Sequence, residues 1–226
     1  VAPSWAEGIL LVDLENPMAA RWIAMDESQG STLHLAPEDV GLGENNVMDE
    51  LADAVVLGLR DYCQKSGIKR IVLGLSGGID SAVAACVAAE AMGAENVLGI
   101  SMPSRFSSQH SIDDALHTAN ALGMEYASIP IDQHHDGLEQ QLSEMLEQGA
   151  SVAQENIQSR LRGILVMAHA NAQGRMAIAT GNKSELAQGY CTLYGDMAGG
   201  YTPLGDVYKM EVYALAEVFN RRAEER

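Results

Sequence analysis

The sequence predicts an α/β fold, a doubly wound and mostly parallel sheet with helices on both faces, preceded by a small N-terminal β remnant. Three observations carry this expectation. Short β-branched runs alternate with helix-period segments through at least four βα units, the pattern that a parallel sheet with crossover helices produces. The run KRIVLGL at 69–75 is apolar without alternation, as a strand covered on both faces must be. A glycine turn, SGGIDS at 76–81, separates that strand from an Ala-rich helix. Ligands of such folds bind at that kind of place, beyond the carboxyl ends of the strands.

The elements are expected in the following order. Residues 1–35 read as extended, with apolar runs at 8–14 and 21–25 flanking a turn at Asn16 and Pro17, a hairpin pattern. Residues 36–46 carry Pro, Gly, Asp and Asn and read as a linker. Met48, Leu51, Ala52, Val55, Leu59, Tyr62 and Cys63 then recur at helical spacing, and Gly67 ends that helix. Strand 69–75 follows, then a helix over 80–92 closed by Gly93, then strand 96–102. A helix is expected from Ser111, where Ser111 and Asp114 fit a capping box, to Gly123. Strand 125–131, a Gln/Glu-rich helical region, a helix at 151–173, strand 175–180 and a helix at 206–222 complete the series. His134 and His135 are adjacent, poor spacing for joint metal ligation, and read as loop residues. The 11 methionines read as core fillers.

The 226 residues suffice for one large α/β domain with an appendage. Acidic residues outnumber Lys and Arg by 31 to 14, giving a net charge of −17. That excludes a protein that grips nucleic acid or an anionic membrane over a broad surface, and leaves local phosphate binding open. Cys63, Cys86 and Cys191 are too few and too scattered for a disulfide framework, which fits a reducing cytoplasm. No apolar run is long enough to span a bilayer. The chain starts without Met and ends in NRRAEER, so both ends are expected to be cut.

Chemistry concentrates at the glycine turn. Gly77 and Gly78 can take positive φ and let the backbone approach an anion. Consecutive amides there can form a nest, and the positive end of the following helix faces the same point. Ser76 and Ser81 offer hydroxyl donors, and Asp80 is a carboxylate placed to help hold Mg2+. The turn is no Walker A loop, since no lysine stands in it, and GxGxxG does not fit Gly74, Gly77 and Gly78. SGGIDS instead resembles the pyrophosphate loop of the N-type ATP pyrophosphatases. That resemblance implies a Rossmann-like sheet and ATP contacts from Gly74, Leu75, Ser76, Gly77, Gly78, Ile79, Asp80 and Ser81.

Within that group, ENIQSRLRG at 155–163, ATGNKSELAQGY at 179–190 and LYGDMAGGYTPLGDVYKMEV at 193–212 resemble NAD synthetases, over about residues 47–226. The resemblance implies a synthetase domain over 47–226, incomplete at its C-terminus, behind the tail (1–35) of a nitrilase-like glutaminase domain. It implies deamido-NAD, ATP and ammonia or glutamine as partners, Mg2+ on Asp80 and Glu185, and a homodimer or larger homo-oligomer. Thr180, at a strand end, and Arg105 would contact ATP. Asn156, Arg160, Glu185, Asp196 and Lys209 would hold the dinucleotide. Asp80, Lys183 and Lys209 would serve catalysis, the two lysines as cations for the charge that builds at phosphorus. Arg162 lies near Arg160 on the same helix, and one of the two would reach phosphate.

Each of these residues also has a plainer role open to it. Glu185 suits capping the following helix, Lys183 suits a surface, and Arg160 and Arg162 suit a solvated face. Two other functions compete. One is a different ATP pyrophosphatase such as a GMP synthetase or a tRNA-modifying enzyme, the latter disfavoured by the acidity. The other is a nucleotide-binding module without turnover. The stretch 1–35 has neither cysteine nor lysine, so this chain is not expected to hydrolyse glutamine.

Overall fold

The computed structural model describes residues 8–11, 21–24, 47–146 and 151–225, in two compact units divided between Ala54 and Val55. In the first unit, strand β1 (Gly8–Leu11) pairs antiparallel with β2 (Arg21–Ala24), Gly8 opposite Ala24 and Leu11 opposite Arg21. These are the two expected hairpin arms. The turn with Asn16 and Pro17 and the linker expected at 36–46 lie outside the described residues.

Helix α1 (Val47–Lys65) buries Val56, Leu59 and Cys63 at helical spacing. Gly67 ends it at φ +69°, and Ile68 N–H closes back on Cys63 O at 2.8 Å. The second unit is built on a four-stranded parallel sheet of order β5-β4-β3-β6. Its strands are β3 (Ile71–Gly74), β4 (Val97–Ser101), β5 (Glu125–Ser128) and β6 (Met176–Ile178). The chain steps outward from β3 to β5 and then returns to place β6 on the other side of β3. A crevice therefore opens where the connections after β3 and β6 part in opposite directions, the ligand position in open α/β sheets.

Helices cover both faces. Val72, Leu98, Ile100 and Ala177 cluster with Val166 and Ala170 of α6 (Ser151–Gln173). The pleat turns Ile71 and Leu73 to the opposite face, and both are fully buried. Helix α2 (Ile79–Met92) buries Val83, Ala84, Ala85, Val87 and Ala88, so its small side chains serve close packing on nearly every side. It packs on α8 (Lys209–Glu224), which buries Val212, Leu215 and Val218. Among the described residues, no helix is long and apolar enough to cross a membrane.

Several elements differ from expectation. Helix α3 runs Gln109–Leu122, and its N-cap is Ser108, whose hydroxyl accepts from Ser111 N–H at 3.1 Å. The capping box expected at Ser111 and Asp114 does not form. Both serines suit a cap, and the earlier one takes it. Asp114 instead meets His110 at 2.8 Å. His134 and His135 stand on α4 (Asp132–Gln141), not in a loop. His135 is 1% exposed, and its Nε2 has no hydrogen-bond partner among the described residues. A four-residue helix, α5 (Ser143–Leu146), and a six-residue helix, α7 (Lys183–Gln188), complete the set. The last helix begins at Lys209 rather than 206.

Candidate functional site at the carboxyl edge of the sheet

The glycine turn lies where the sheet order predicts. Leu75 N–H continues the β3 ladder to Ile100 O at 2.8 Å, and the chain then leaves the sheet. Gly77 has φ +80°, and a Cβ there would stand 2.1 Å from Ser111 O. Left-handed backbone and the N-terminus of α3 thus both require glycine at 77. Gly78 does not share the expected positive φ. It is the N-cap of α2 at φ −85°, an extended conformation open to any residue.

The two serines brace the turn from inside. Gly78 N–H donates to Ser76 Oγ at 3.1 Å, Ser76 N–H to Ser81 Oγ at 3.2 Å, and Ser81 Oγ–H to Gly78 O at 2.9 Å. Ser81 is 3% exposed, so the hydroxyl expected to meet an anion instead fixes the loop. The amides that open α2, at Ile79, Asp80 and Ser81, have no carbonyl of their own helix to bond. Together with the helix dipole they are suited to receive an anion.

Asp80 sits at the centre of a polar cluster. Its Oδ1 accepts from Asn182 Nδ2 at 2.9 Å, and its Oδ2 pairs with the Lys209 ammonium. Asn182 is fully buried and caps α7: its Oδ1 accepts from Glu185 N–H at 3.1 Å, and Glu185 Oε2 accepts from Asn182 N–H at 3.0 Å. Glu185 therefore does form the cap that was its plainer reading. Even so, Asp80 and Glu185 both line one cavity of about 210 Å3. Two hard-oxygen carboxylates on one wall suit Mg2+, which binds through one or two carboxylates and completes its shell with phosphate and water. Lys183 faces elsewhere. Its ammonium pairs with Asp206 at 2.5 Å and lies 4.8 Å from the centre of the Tyr208 ring, and it lines neither this cavity nor the larger one. Asp206 pushes the Lys183 pKa up.

The larger cavity, about 420 Å3, runs along the ends of β3, β4 and β6 beside α6. Ser76, Ala179, Thr180 and Asp196 line both cavities. Asp196 accepts from Thr192 N–H at 2.9 Å and from Ser159 Oγ–H at 3.1 Å, and its own N–H donates to Ser159 Oγ at 2.9 Å. Nearby, Thr192 Oγ1–H donates to Asn156 Oδ1 at 2.8 Å, and Arg160 Nε–H to Leu193 O at 3.2 Å. Three expected substrate residues, Asn156, Arg160 and Asp196, thus meet where α6 receives the 192–196 turn.

Small side chains make that contact possible. A Cβ on Gly163 would lie 2.8 Å from Tyr194 O, and one on Gly195 would lie 2.3 Å from Ser159 Oγ. Tyr194 takes φ +63°, alone among described non-glycine residues in having positive φ. Sequence reasoning passed over Ser159, Gly163 and Asn182. Ser159 and Gly163 are four apart on one helix face, and Asn182 stands three before Glu185, so spacing did carry a signal for each.

Arg105 is drawn away from the cavity. Its guanidinium pairs with Asp136 and, at 2.7 Å, with Glu139 of α4, while its N–H donates to Asp132 Oδ1 at 2.7 Å. Glu139 first, and Asp136 after it, raise its pKa. Its neighbours Pro103 and Ser107 do line the cavity. Arg162 lies on the cavity wall, its Nε–H donating to Met102 O at 3.1 Å, and burial lowers its pKa.

Residues 51–224 match the family model described as NAD synthase. A glutamine-dependent NAD(+) synthetase from Rhodobacter capsulatus is 47% identical over 212 residues, covering 93% of this chain and 36% of the relative. One from Synechocystis sp. is 52% identical over 174 residues, covering 76% of this chain and 31% of the relative. A solved glutamine-dependent NAD+ synthetase from Acinetobacter baumannii, in complex with adenosine diphosphate, superposes with a TM-score of 0.77 at 38% identity, over 88% of this chain and 37% of that one. The chain thus spans about a third of the length of the curated relatives it matches.

Proposed function

The chain belongs to the NAD synthase family, and from that premise we propose that it amidates the nicotinate carboxylate of deamido-NAD at the expense of ATP. The observation that carries the reading is the shared wall of the two cavities. Ser76, Ala179, Thr180 and Asp196 border both, so a nucleotide in the larger cavity and a second substrate in the smaller one meet across the same four residues.

The terminal phosphates of ATP lie on the Gly77 turn and the first amides of α2. The nicotinate carboxylate attacks the α-phosphorus, and pyrophosphate leaves into those amides. The resulting acyl adenylate is opened by ammonia, giving the amide and AMP. Asn156, Arg160 and Asp196 hold the dinucleotide where the 192–196 turn reaches the smaller cavity. Lys209, held on Asp80, brings positive charge to the mouth of the phosphate turn. Mg2+ held by Asp80 and Glu185 would neutralise charge on the terminal phosphates. No nucleophilic side chain is needed, and orientation and charge do the work.

We assign residues 1–35, with the hairpin β1–β2, to the tail of a nitrilase-like domain that supplies ammonia from glutamine in a longer protein. A cytoplasmic setting and a homodimer go with this reading. The test is pyrophosphate release with ATP, Mg2+ and ammonia, run in parallel with deamido-NAD, with XMP and with no acceptor. Release that depends on deamido-NAD and is abolished by Asp80→Ala is expected. Release driven by XMP would instead make the chain a GMP-type synthetase. ATP binding without release in any arm would make it a module without turnover.

A further inference from the structure

We propose that Arg162 grips the AMP half of the nucleotide and stays with it from bound ATP to acyl adenylate. This rests on the assignment of the larger cavity to ATP. Of the two lysines expected to carry positive charge, Lys209 is held on Asp80 at the phosphate turn and Lys183 on Asp206 away from both cavities. Arg105 is committed to Asp136 and Glu139. Among the described residues, Arg162 is the one Lys, Arg or His on the wall of the 420 Å3 cavity.

Its position fits one part of the nucleotide. Nε–H is anchored on Met102 O, just past the end of β4, while the phosphate turn follows β3. Neighbouring strands lie about 4.8 Å apart. The guanidinium therefore stands about one strand away from the site of the terminal phosphates, on the side opposite Glu185 and α7. That is the side with room for the rest of the nucleotide, where Met102, Ile112 and Val166 offer apolar wall for a base.

Its bonding leaves it ready for an anion. Among the described residues, Nε–H to Met102 O is its one hydrogen bond, and no carboxylate pairs with it. A half-buried guanidinium without a counter-charge gains when an anion arrives. Its two Nη groups form the planar fork that matches phosphate oxygens. The lowered pKa reports the same desolvation.

The reaction gives this grip a distinct use. In the first step a carboxylate oxygen bonds to the α-phosphorus, and the bond to the bridging oxygen breaks with its electron pair going to pyrophosphate. The phosphate turn then loses its ligand. In the second step ammonia bonds to the acyl carbon, the carbon–oxygen bond returns its pair to the AMP phosphate, and the amine proton goes to water. Charge rises on the α-phosphate a second time, with Arg162 still beside it.

The experiment measures AMP and Mg-pyrophosphate binding separately, by calorimetry on the full chain, for Arg162→Met, Arg162→Lys and Asp80→Ala. No dinucleotide is present, so the outcome does not depend on which acceptor the enzyme uses. Arg162→Met should weaken AMP roughly 10- to 100-fold, the loss expected for a charged hydrogen bond, and leave pyrophosphate within about 2-fold. Asp80→Ala should do the reverse. Arg162→Lys, which keeps a donor for Met102 O, separates a fold effect from the grip. A restored melting temperature with AMP still weak supports the proposal. AMP binding restored in full by lysine, unchanged by methionine, or weakened equally with pyrophosphate in a stable variant overturns it.

Discussion

Asn182 donates to Asp80 at 2.9 Å across 102 residues of sequence, joining the first turn of α7 to the first turn of α2. One buried amide thereby sets the distance between the phosphate turn and Glu185, since the same side chain caps the helix that bears Glu185. Neither carboxylate can shift without breaking a bond to Asn182.

Replacing that amide should therefore injure stability and chemistry together. Asn182→Ala removes a cap and a partner of Asp80, and is expected to lower unfolding free energy in urea by about 1–3 kcal/mol. The kcat/KM for ATP should fall as well. Asn182→Asp keeps an N-cap oxygen but sets a second carboxylate against Asp80. It should recover part of the stability and none of the activity. Full activity in Asn182→Asp would show that Asp80 needs no amide partner.

The two glycines of the turn should respond differently. At Gly77 the backbone stands at φ +80° and an added Cβ would meet Ser111 O at 2.1 Å. Gly77→Ala should abolish ATP binding and lower the melting temperature. At Gly78 the backbone is extended and the nearest atom, Ser76 Oγ, would be at 3.2 Å. Gly78→Ala should keep the fold and most of the ATP affinity. Equal losses in binding titrations would contradict this account of the loop.

The lysines divide in the same way. Lys209→Met leaves the Asp80 carboxylate without its cation, and kcat should fall by about 10²–10³, as for other lost electrostatic contacts at a reacting centre. Lys183→Met removes a pair to Asp206, which is 92% exposed, at a site off both cavities. Melting temperature and kcat should change little, as is usual for surface pairs. Steady-state rates for the two variants decide it, and parity between them would return Lys183 to the active site.

Cys86 supplies a pH test. Burial, and then the charge of Glu90, push its thiol from 9.0 up to about 11. The folded state thus binds a proton that the unfolded state releases between those values. Its share of stability is complete below pH 9 and is lost as pH rises toward 11, by about 1–3 kcal/mol in all. Cys86→Ala should flatten the fall in stability over that window relative to the unmodified chain. Parallel curves would show that Cys86 ionises as freely folded as unfolded.

What the sequence disclosed was mostly local. A buried strand, a glycine turn and an Ala-rich helix are written within consecutive residues, so 69–92 could be read directly. The expected start of α3 falls three residues late because Ser108 and Ser111 are equally good caps, and only packing chooses. Helix α7 is six residues long, too short for periodicity to reveal. The charge pairing was hidden for a deeper reason. Whether Lys183 meets Asp206 or a phosphate, and whether Arg105 turns to α4 or to the cavity, depends on elements remote in sequence. Asn156, Arg160 and Asp196 were named from their segments, yet the small residues that let them converge, Ser159, Gly163 and Gly195, mean little until α6 and its turn are in contact.

Ile71 of the innermost strand lies beside Val97 on one flank and Met176 on the other. A ribosome releases the first neighbour early and the second much later. During that interval the most apolar strand of the domain has one open edge, able to recruit any passing β-segment. Chaperone dependence should therefore peak while α6 is emerging and vanish once β6 has docked, and a gene fragment stopped between the two should yield inclusion bodies rather than a smaller soluble protein.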